Sequence, residues 1–431
     1  MKPRGRLTDV ATGVPPVHDV AYRTGGTPAP TSASKTIYLP AGFSFSAASA
    51  GIKTSGRPDL ALVEACPGTV AAAMFTKNRV VAAPLMVGRA SLSASRGGVR
   101  AVIVNSGNAN CATGQSGIKD CARVCGEVAR LLGVDATEVF PSSTGIIGVP
   151  LPADKVITHL PELMAAREAT EQGIASFAGA IMTTDTRPKL AGSTFRSGQK
   201  SVKLLGIAKG AGMIHPQLAT VLVYVFTDVA ASPAELKRLL RQTCEKTFNC
   251  ISIDGDTSTN DTVLLLASGQ SRANLKSVAV RKKFSAALEE VCQSLAEQIV
   301  SDGEGVQHVV RLSIEQAKSR NEARQVARTV AHSLLVKTAW AGADPNWGRI
   351  LAAVGRSGIA LDPARISILI GDQVVCRNGV GCAFDEKRAH LDLSQPLCQV
   401  RIRLRRGRSF IKFLTTDLTA EYVRINADYS T

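Results

Sequence analysis

One stretch of the chain, Lys209-Gly-Ala-Gly-Met-Ile-His-Pro-Gln-Leu-Ala-Thr220, runs directly into the apolar segment Val221-Leu-Val-Tyr-Val-Phe226. Gly210 and Gly212 permit backbone angles that residues with a Cβ avoid, and Pro216 fixes its own φ, so the loop has a closely specified shape. The apolar segment has the length and the β-branched composition of a buried strand. A threonine at such a junction is either an ordinary strand opener or, if self-cleavage frees its α-amine, a nucleophile whose own amine takes the hydroxyl proton. The local sequence leaves both interpretations open.

The composition is that of a globular protein. Of the 431 residues, 45% are apolar and 20% are charged, which allows a substantial core. No apolar run approaches the roughly 18 residues of a membrane helix, and the start Met1-Lys-Pro-Arg-Gly-Arg-Leu-Thr-Asp9 lacks the apolar core of a signal peptide. We therefore expect a cytoplasmic protein with no membrane partner. Residues 1–35, rich in Gly, Pro, Ser and Thr, are expected to form a partly mobile leader.

Cysteine and acidic residues do not form a recognisable metal motif. The ten cysteines lack a C-x-x-C pair and paired histidines, so we expect no metal site and mostly small buried thiols. The acidic loop Asp254-Gly-Asp-Thr-Ser-Thr-Asn-Asp261 invites a calcium interpretation. An EF-hand, however, needs glycine at its sixth position and glutamate at its twelfth, where this chain has Thr259 and Leu265. A turn whose Asp, Ser and Thr side chains bond the backbone is the better interpretation.

The formal charge of +16 raises the hypothesis of nucleic-acid binding. The excess, however, is spread over both sides of the Ala219-Thr220 junction. The densest cluster, Arg401-Ile-Arg-Leu-Arg-Arg-Gly-Arg408, alternates like a strand face, and we predict a solvated edge strand because edge charges block unwanted pairing. Aromatic residues make up 4% of the chain, too few for a stacking platform. We expect no nucleic-acid partner; a basic surface can instead attract anionic small substrates.

The remaining patterns predict a mixed α/β fold. Segment 36–110 has the pattern of short strands and turns, and Ser232-Pro-Ala-Glu235 has the capping serine, first-position proline and third-position glutamate of a helix start. Predicted helices cover 119–132, 152–181, 277–300 and 315–338, predicted strands cover 250–253, 262–266 and parts of the tail, and predicted polar turns cover 106–110 and 141–148.

A nucleophilic Thr220 would need donors for the oxyanion that forms during acyl transfer. Thr144 and Gly145 place a hydroxyl beside a glycine N–H. This pairing suits an oxyanion hole, although it is also common in ordinary turns.

Three charged or titratable residues are candidates for contacts with a substrate. Lys209 can bind a carboxylate and Glu304 can bind an ammonium, although single charged side chains near loops are normally solvated. His215 is either a base or a loop-shaping residue, and the proline directly after it favours the loop-shaping role.

Six motifs occur in order along the chain. They are Asn105-Ser-Gly-Asn-Ala-Asn110, Thr183-Thr-Asp-Thr186, Lys209-Gly-Ala-Gly-Met-Ile-His-Pro-Gln-Leu-Ala-Thr220, Asp254-Gly-Asp-Thr-Ser-Thr-Asn-Asp261, Asp344-Pro-Asn-Trp-Gly-Arg349 and Asn426-Ala-Asp-Tyr-Ser-Thr431. Together they resemble the glutamate N-acetyltransferase family of arginine biosynthesis, also called ornithine acetyltransferase. The resemblance runs from about residue 36 to the last residue, and it favours the nucleophilic interpretation of Thr220.

The resemblance implies an α/β fold of the N-terminal-nucleophile type, with layered sheets packed between helices. It also implies that the precursor cuts itself between Ala219 and Thr220. After the leader, residues 36–219 would form an α chain and residues 220–431 a β chain; the two would share one core and pair into an α2β2 heterotetramer. Neither a metal nor a cofactor is implied.

The family's reaction takes an acetyl group from N2-acetyl-L-ornithine and passes it through the nucleophile to L-glutamate, and the sequence leaves open whether acetyl-coenzyme A also serves as a donor. By the same resemblance, Thr220 is the nucleophile, and Thr144 and Gly145 form the oxyanion hole. The implied substrate contacts are Thr183, Lys209, Thr220, Glu304, Asn426 and Thr431. The choice of Thr183 over Thr184 is the least secure of these.

Two departures from the family pattern are visible. Gln217-Leu-Ala-Thr-Val221 replaces the more usual Asn-Met-Ala-Thr-Met, and Cys111-Ala112 reverses the more usual order. Neither removes a catalytic group.

Two other functions stay open at this point. One is a self-processing aminopeptidase or amidase, which would pass the acyl group to water. The other is a basic nucleic-acid-binding protein in which the threonine loop is structural; its binding would depend steeply on salt.

Overall fold

A computed structural model describes residues 37–215 and 221–428. The predicted leader, the cleavage residues Ala219 and Thr220, and Thr431 lie outside the described residues. In the first range the elements are β1 (Phe43–Ala48), β2 (Leu60–Ala65), β3 (Val70–Phe75), α1 (Ala83–Ala94), β4 (Ala101–Asn108), α2 (Gly114–Leu132), β5 (Val139–Ile146), α3 (Ala153–Ala165), α4 (Glu171–Ala180), β6 (Lys189–Ser197) and β7 (Lys200–Lys209).

The second range contains the remaining elements. They are β8 (Leu222–Thr227), α5 (Pro233–Cys244), β9 (Thr262–Ala267), α6 (Val278–Ser301), β10 (Val309–Ala317), α7 (Arg320–Ala331), α8 (Leu334–Ala341), α9 (Trp347–Gly355), β11 (Ser367–Ile370), β12 (Gln373–Arg377), β13 (Val380–Gly381), α10 (Glu386–Leu393), β14 (Leu397–Arg403), β15 (Ser409–Thr416) and α11 (Ala420–Asp428).

Two sheets pack face to face between helices. The four-stranded sheet has the order β1-β2-β4-β5, and the five-stranded sheet has the order β3-β9-β8-β7-β6. Their facing sides share one apolar cluster, in which Phe226 of β8 makes edge contacts with Phe43 and Phe45 of β1 at ring distances of 5.2 and 5.1 Å. Helices α2 and α3 cover the outer side of the first sheet, and α5 and α6 cover the outer side of the second. The predicted layering of sheets between helices is confirmed.

The third sheet has six strands in the order β13-β12-β11-β14-β10-β15, all from the second half of the chain. Its apolar residues pack with those of α7, α8, α9 and α10 in a separate cluster that includes the fully buried Trp340. This unit supplies α11, which returns to the two-sheet unit and carries Asn426.

The stretch after residue 220 forms the predicted buried strand. All six residues of β8 are buried, and β8 lies in the middle of its sheet, antiparallel to β7 and parallel to β9. Since β7 precedes residue 220 and β8 follows it, strands from both sides of the predicted cleavage point pair within one sheet.

Local signals with a clear physical cause are confirmed. Ser232 caps α5 by accepting a hydrogen bond from the Glu235 amide, and the Glu235 side chain bonds back to the Ser232 amide. In the acidic loop, Asp254 accepts from the Asp256 amide and Ser258 from the Asn260 amide, as expected of a turn. Eight of the ten cysteines are buried, and all ten are free thiols.

The structure corrects the two predicted polar turns. Segment 141–148 mostly belongs to β5, which pairs in parallel with β4 through Ile146, and segment 106–110 begins inside β4. Serine, threonine and glycine residues suggested turns, but here they continue buried strands because their backbone groups pair across the sheet. The same pairing brings the ends of β4 and β5 together.

Three further predictions were wrong in part. Residues 250–253 are not a strand, because a short 3-10 helix occupies Phe248–Cys250 and Ile251 makes only a single bridge. The predicted helix at 315–338 begins only at Arg320, after β10. The basic segment 401–408 is not an edge strand, since β14 lies between β11 and β10. Its alternate arginines instead bond neighbouring strands on a partly exposed face, as Arg403 does with Glu315 at 3.0 Å.

Candidate active site

A pocket of about 240 Å³ opens where β5, β7 and β8 meet. Lys209 ends β7, and Leu222 at the start of β8 is its register partner, so Val221 lies at the pocket wall. Six of the predicted site residues line this pocket: Thr144, Gly145, Thr183, Lys209, Glu304 and Asn426. They come from five separate segments of the chain, which the fold brings to one place.

Lys209 connects two of the predicted hydroxyl groups. Its half-buried ammonium donates to Thr144 Oγ1 at 3.0 Å and to Thr183 Oγ1 at 2.8 Å. A lysine ammonium has donors only, so both hydroxyl oxygens act as acceptors here. Each hydroxyl proton therefore remains able to donate to a bound molecule.

Gly145 sits at a close approach of two backbones. Its φ is +134°, in a region that favours glycine, and a Cβ at this position would lie 2.3 Å from the carbonyl carbon of Gly107 in β4. The parallel pairing of β4 and β5 thus requires glycine beside Thr144. The result is a fixed hydroxyl next to a fixed glycine amide, the arrangement that an oxyanion hole requires.

Glu304 and Asn426 form the opposite wall. Asn426 Nδ2 donates to Glu304 Oε2 at 2.9 Å, and the Glu304 amide donates to the carbonyl of Ala211 at 2.9 Å. A Cβ on Gly212 would lie 2.4 Å from Glu304 Oε2, so glycine at 212 leaves room for this carboxylate. The loop that leads to residue 220 and the turn after α6 are therefore packed together.

The pocket has an uneven electrostatic environment. Burial lowers the pKa of Lys209, although the carboxylates of Asp185, Asp261 and Glu304 oppose this shift. Burial also raises the pKa of Asp261 well above its usual range, and its Oδ2 has no hydrogen-bond partner among the described residues. The site thus combines a cation, held by hydroxyls, with a buried carboxyl group at Asp261 that favours its neutral form.

Asp254 and His332 contact the loop that ends before residue 216. Asp254 accepts from the amides of Met213 and Ile214 at 2.6 and 2.9 Å, and burial raises the pKa of Asp254 to about 6. His215 contacts His332 through ring nitrogens 3.2 Å apart, and burial lowers the pKa of His215 to about 4. The depressed pKa leaves His215 neutral near pH 7, and its loop-shaping role stays a prediction.

Some predictions stay open and some residues were missed. Thr184 also lines the pocket, but it is Thr183 that bonds Lys209. Thr220 and Thr431 lie outside the described residues. Lys189 and Asp302, which lie behind the pocket wall, were not predicted, because a single lysine or aspartate near a turn carries no signal of burial.

Comparison with known proteins identifies the family. A family model described as the ArgJ family matches residues 44–431. The chain belongs to the ArgJ family.

Two curated members of the ArgJ family, which share one name, match this chain over nearly their whole length. The "Arginine biosynthesis bifunctional protein ArgJ" of Methylococcus capsulatus is 45% identical over 395 residues, covering 91% of this chain and 96% of that protein. The protein of that name from Thermus thermophilus is 43% identical, covering 92% and 100%. A solved chain described as ornithine acetyltransferase complexed with ornithine, from Mycobacterium tuberculosis, is 38% identical with a TM-score of 0.37, covering 42% of this chain and 94% of that one. The family resemblance seen in the sequence is confirmed.

Two features are absent from this ArgJ-family chain within residues 37–215 and 221–428. No helix there is long and apolar enough to cross a membrane. No group of three or more His, Cys, Asp or Glu side chains in those ranges is placed to hold a metal ion.

Proposed function

We propose that this protein transfers an acetyl group from N2-acetyl-L-ornithine to L-glutamate through an ester on Thr220. Before it can act, the chain cuts itself between Ala219 and Thr220. The observation that carries the proposal is the contact of Lys209 with Thr144 and Thr183 beside Gly145, because it leaves two hydroxyl protons able to donate next to a glycine in one pocket. Family membership and the relatives' names, which refer to arginine biosynthesis, support the choice of substrates.

The first half-reaction loads the nucleophile. The free α-amine of Thr220 takes the Oγ proton, and Oγ attacks the acetyl carbonyl carbon. The Thr144 hydroxyl and the Gly145 amide donate to the oxyanion of the tetrahedral intermediate. The C–N bond then breaks, and ornithine leaves with its amine nitrogen protonated by the α-ammonium of Thr220.

The second half-reaction transfers the acetyl group from Thr220 to glutamate. The neutral α-amine of glutamate attacks the ester carbonyl, the same two donors bind the oxyanion, and the bond between the acetyl carbon and Thr220 Oγ breaks. The proton that the attacking amine loses passes through the Thr220 α-amine to Oγ, which restores the hydroxyl. Both amino acids present an α-carboxylate, for which Lys209 is the cationic partner, and Glu304 is the anionic partner for the side-chain ammonium of ornithine. One pocket can therefore serve both half-reactions without a metal or a cofactor.

Cleavage would leave two chains that cannot separate without unfolding. Residues 36–219 would form the α chain and residues 220–431 the β chain, with β7 of the first hydrogen-bonded to β8 of the second along six residue pairs. We propose that these chains pair into an α2β2 heterotetramer; light scattering of the purified protein tests this stoichiometry.

Two experiments test the proposal. Denaturing electrophoresis of the wild type should show two fragments, whereas Thr220→Ala should show one uncut chain without activity. With acetylornithine and glutamate as substrates, the product should be acetylglutamate. Free acetate alone would instead favour an amidase, and an uncut chain that binds DNA or RNA with steep salt dependence would favour a nucleic-acid-binding protein.

A second activity has one observation in its favour: the curated relatives are named bifunctional. We propose acetyl-coenzyme A as an alternative acetyl donor for the same nucleophile. Formation of acetylglutamate from acetyl-coenzyme A and glutamate by the pure protein would support this activity. If the acetyl group came only from acetylornithine, the protein would have a single function.

A further inference from the structure

A fully buried group of charges lies directly behind the pocket. Lys189 is 0% exposed, and its ammonium lies 2.6 Å from Asp185 Oδ1 and 2.6 Å from Asp302 Oδ2. Both carboxylate side chains are also fully buried. We call these three residues the Asp185–Lys189–Asp302 cluster.

The cluster reaches three of the segments that carry pocket residues. Asp185 accepts the Gly210 amide at 2.6 Å, next to Lys209, and the Thr183 amide at 3.1 Å. Asp302 accepts both the amide and the hydroxyl of Thr186, and it lies two residues before Glu304. The ammonium of Lys189 thus connects three segments through Asp185 and Asp302. These are the end of strand β7, the turn after α4 and the turn after α6.

Stability alone does not account for such a cluster. A buried ion group costs desolvation energy and is often matched or exceeded in stability by apolar residues of similar volume. What apolar residues cannot provide is directed hydrogen bonds to the amides of Gly210 and Thr183, or an electric field at Lys209.

We propose that the Asp185–Lys189–Asp302 cluster positions the pocket residues and sets the charge environment of Lys209. The proposal deepens the proposed function, and it rests on that function only in assigning Lys209 to the substrate site. Asp185 stabilises the protonated form of Lys209, whereas Lys189 destabilises it. Within residues 37–215 and 221–428, the other charged groups that act on Lys209 are Asp261, Glu304 and Lys53, which are left unchanged in the test.

Removing the Asp185 charge and removing the Lys189 charge should shift the pKa of Lys209 in opposite directions. In Asp185→Asn, Lys209 loses an attractive charge, so its pKa should fall. In Lys189→Met, Lys209 loses a repulsive charge, so its pKa should rise. A purely structural role would expose Lys209 in both variants and move both pKa values upward.

The experiment measures Lys209 directly. The purified protein is labelled with a trace of acetic anhydride at a series of pH values, and mass spectrometry of the Lys209 peptide gives the midpoint of amine reactivity. The controls, Asp154→Asn and Lys246→Met, each remove a charge from an exposed ion pair and should leave the midpoint unchanged. Thermal melting checks that each variant is folded.

A fall of the midpoint in Asp185→Asn and a rise in Lys189→Met support the proposal. If Lys189→Met does not fold, the Asp185→Asn midpoint decides alone: a fall supports the cluster's role, and an unchanged or raised midpoint overturns it. Because labelling requires no turnover, the outcome is separate from the proposed reaction. Shifted midpoints in a protein that transfers no acetyl group would refute the proposed function and leave the cluster's role intact.

Discussion

Replacing Thr144 by valine tests the oxyanion hole with little change of shape. Valine keeps the β-branched side chain of this buried residue but removes the hydroxyl that accepts from Lys209 at 3.0 Å. We expect a stability loss of about 1–2 kcal/mol, the range for a lost buried hydrogen bond. The loss of one oxyanion donor should lower kcat by about 10²- to 10³-fold, which corresponds to about 2.7–4 kcal/mol of transition-state stabilisation.

The assay for Thr144→Val is acetylglutamate formation from acetylornithine and glutamate, expressed per cleaved chain, because the same donors can assist self-cleavage. KM should change much less than kcat, since the oxyanion exists only in the transition state and the tetrahedral intermediate. Thr158→Val is the matched control, because Thr158 is an exposed residue of α3 whose hydroxyl donates to the helix backbone at 2.9 Å. If kcat for Thr144→Val stayed within about twofold of the wild type, a catalytic hydroxyl at this position would be refuted.

Two further predictions concern Gly145 and the pair His215 and His332. Gly145→Ala should lower the melting temperature and abolish activity, because its Cβ would lie 2.3 Å from a backbone carbon of β4; Gly148→Ala, with a positive φ but no atom within 4 Å, should cost only about 1 kcal/mol and keep activity. For pH, the folded pKa values of His215 and His332 are depressed to about 4 and about 3, so their contribution to stability is complete above 6.5 and is lost as the pH falls. Asp254 has a raised pKa, so its effect on stability against pH has the opposite sign. The measurement is therefore the difference in melting temperature between the wild type and His332→Gln at each pH. That difference should shrink between pH 7 and 4, and a constant difference would contradict the depressed pKa values.

Sequence reasoning worked best where one local cause decides the structure. The cap at Ser232 and the strand after residue 220 both follow from signals within a few residues. The site residues came instead from the family resemblance, which rests on short motifs, and their roles stay predictions. Six of these residues line one pocket, and one of the six, Lys209, bonds two more of them, Thr144 and Thr183.

Sequence reasoning failed where distant pairing overrides local preference. Residues 141–146 have the composition of a turn but form a strand because β4 pairs with them. The basic strand β14 alternates like an edge strand, yet it lies inside a sheet that β10 and β11 complete from other parts of the chain. Lys189 was overlooked for the same reason, since its two carboxylate partners lie four and 113 residues away.

The central claim is that Thr220 carries the acetyl group on a newly formed chain end. The most direct measurement is intact-mass spectrometry of the protein after brief incubation with acetylornithine and acid quenching, followed by fragmentation of the chain that begins at residue 220. We predict two chains, with the mass of one acetyl group added to Thr220 and removed again when glutamate is supplied. A single uncut chain that turns over acetylornithine, or a cleaved enzyme whose acetyl group is never found on Thr220, would contradict the claim.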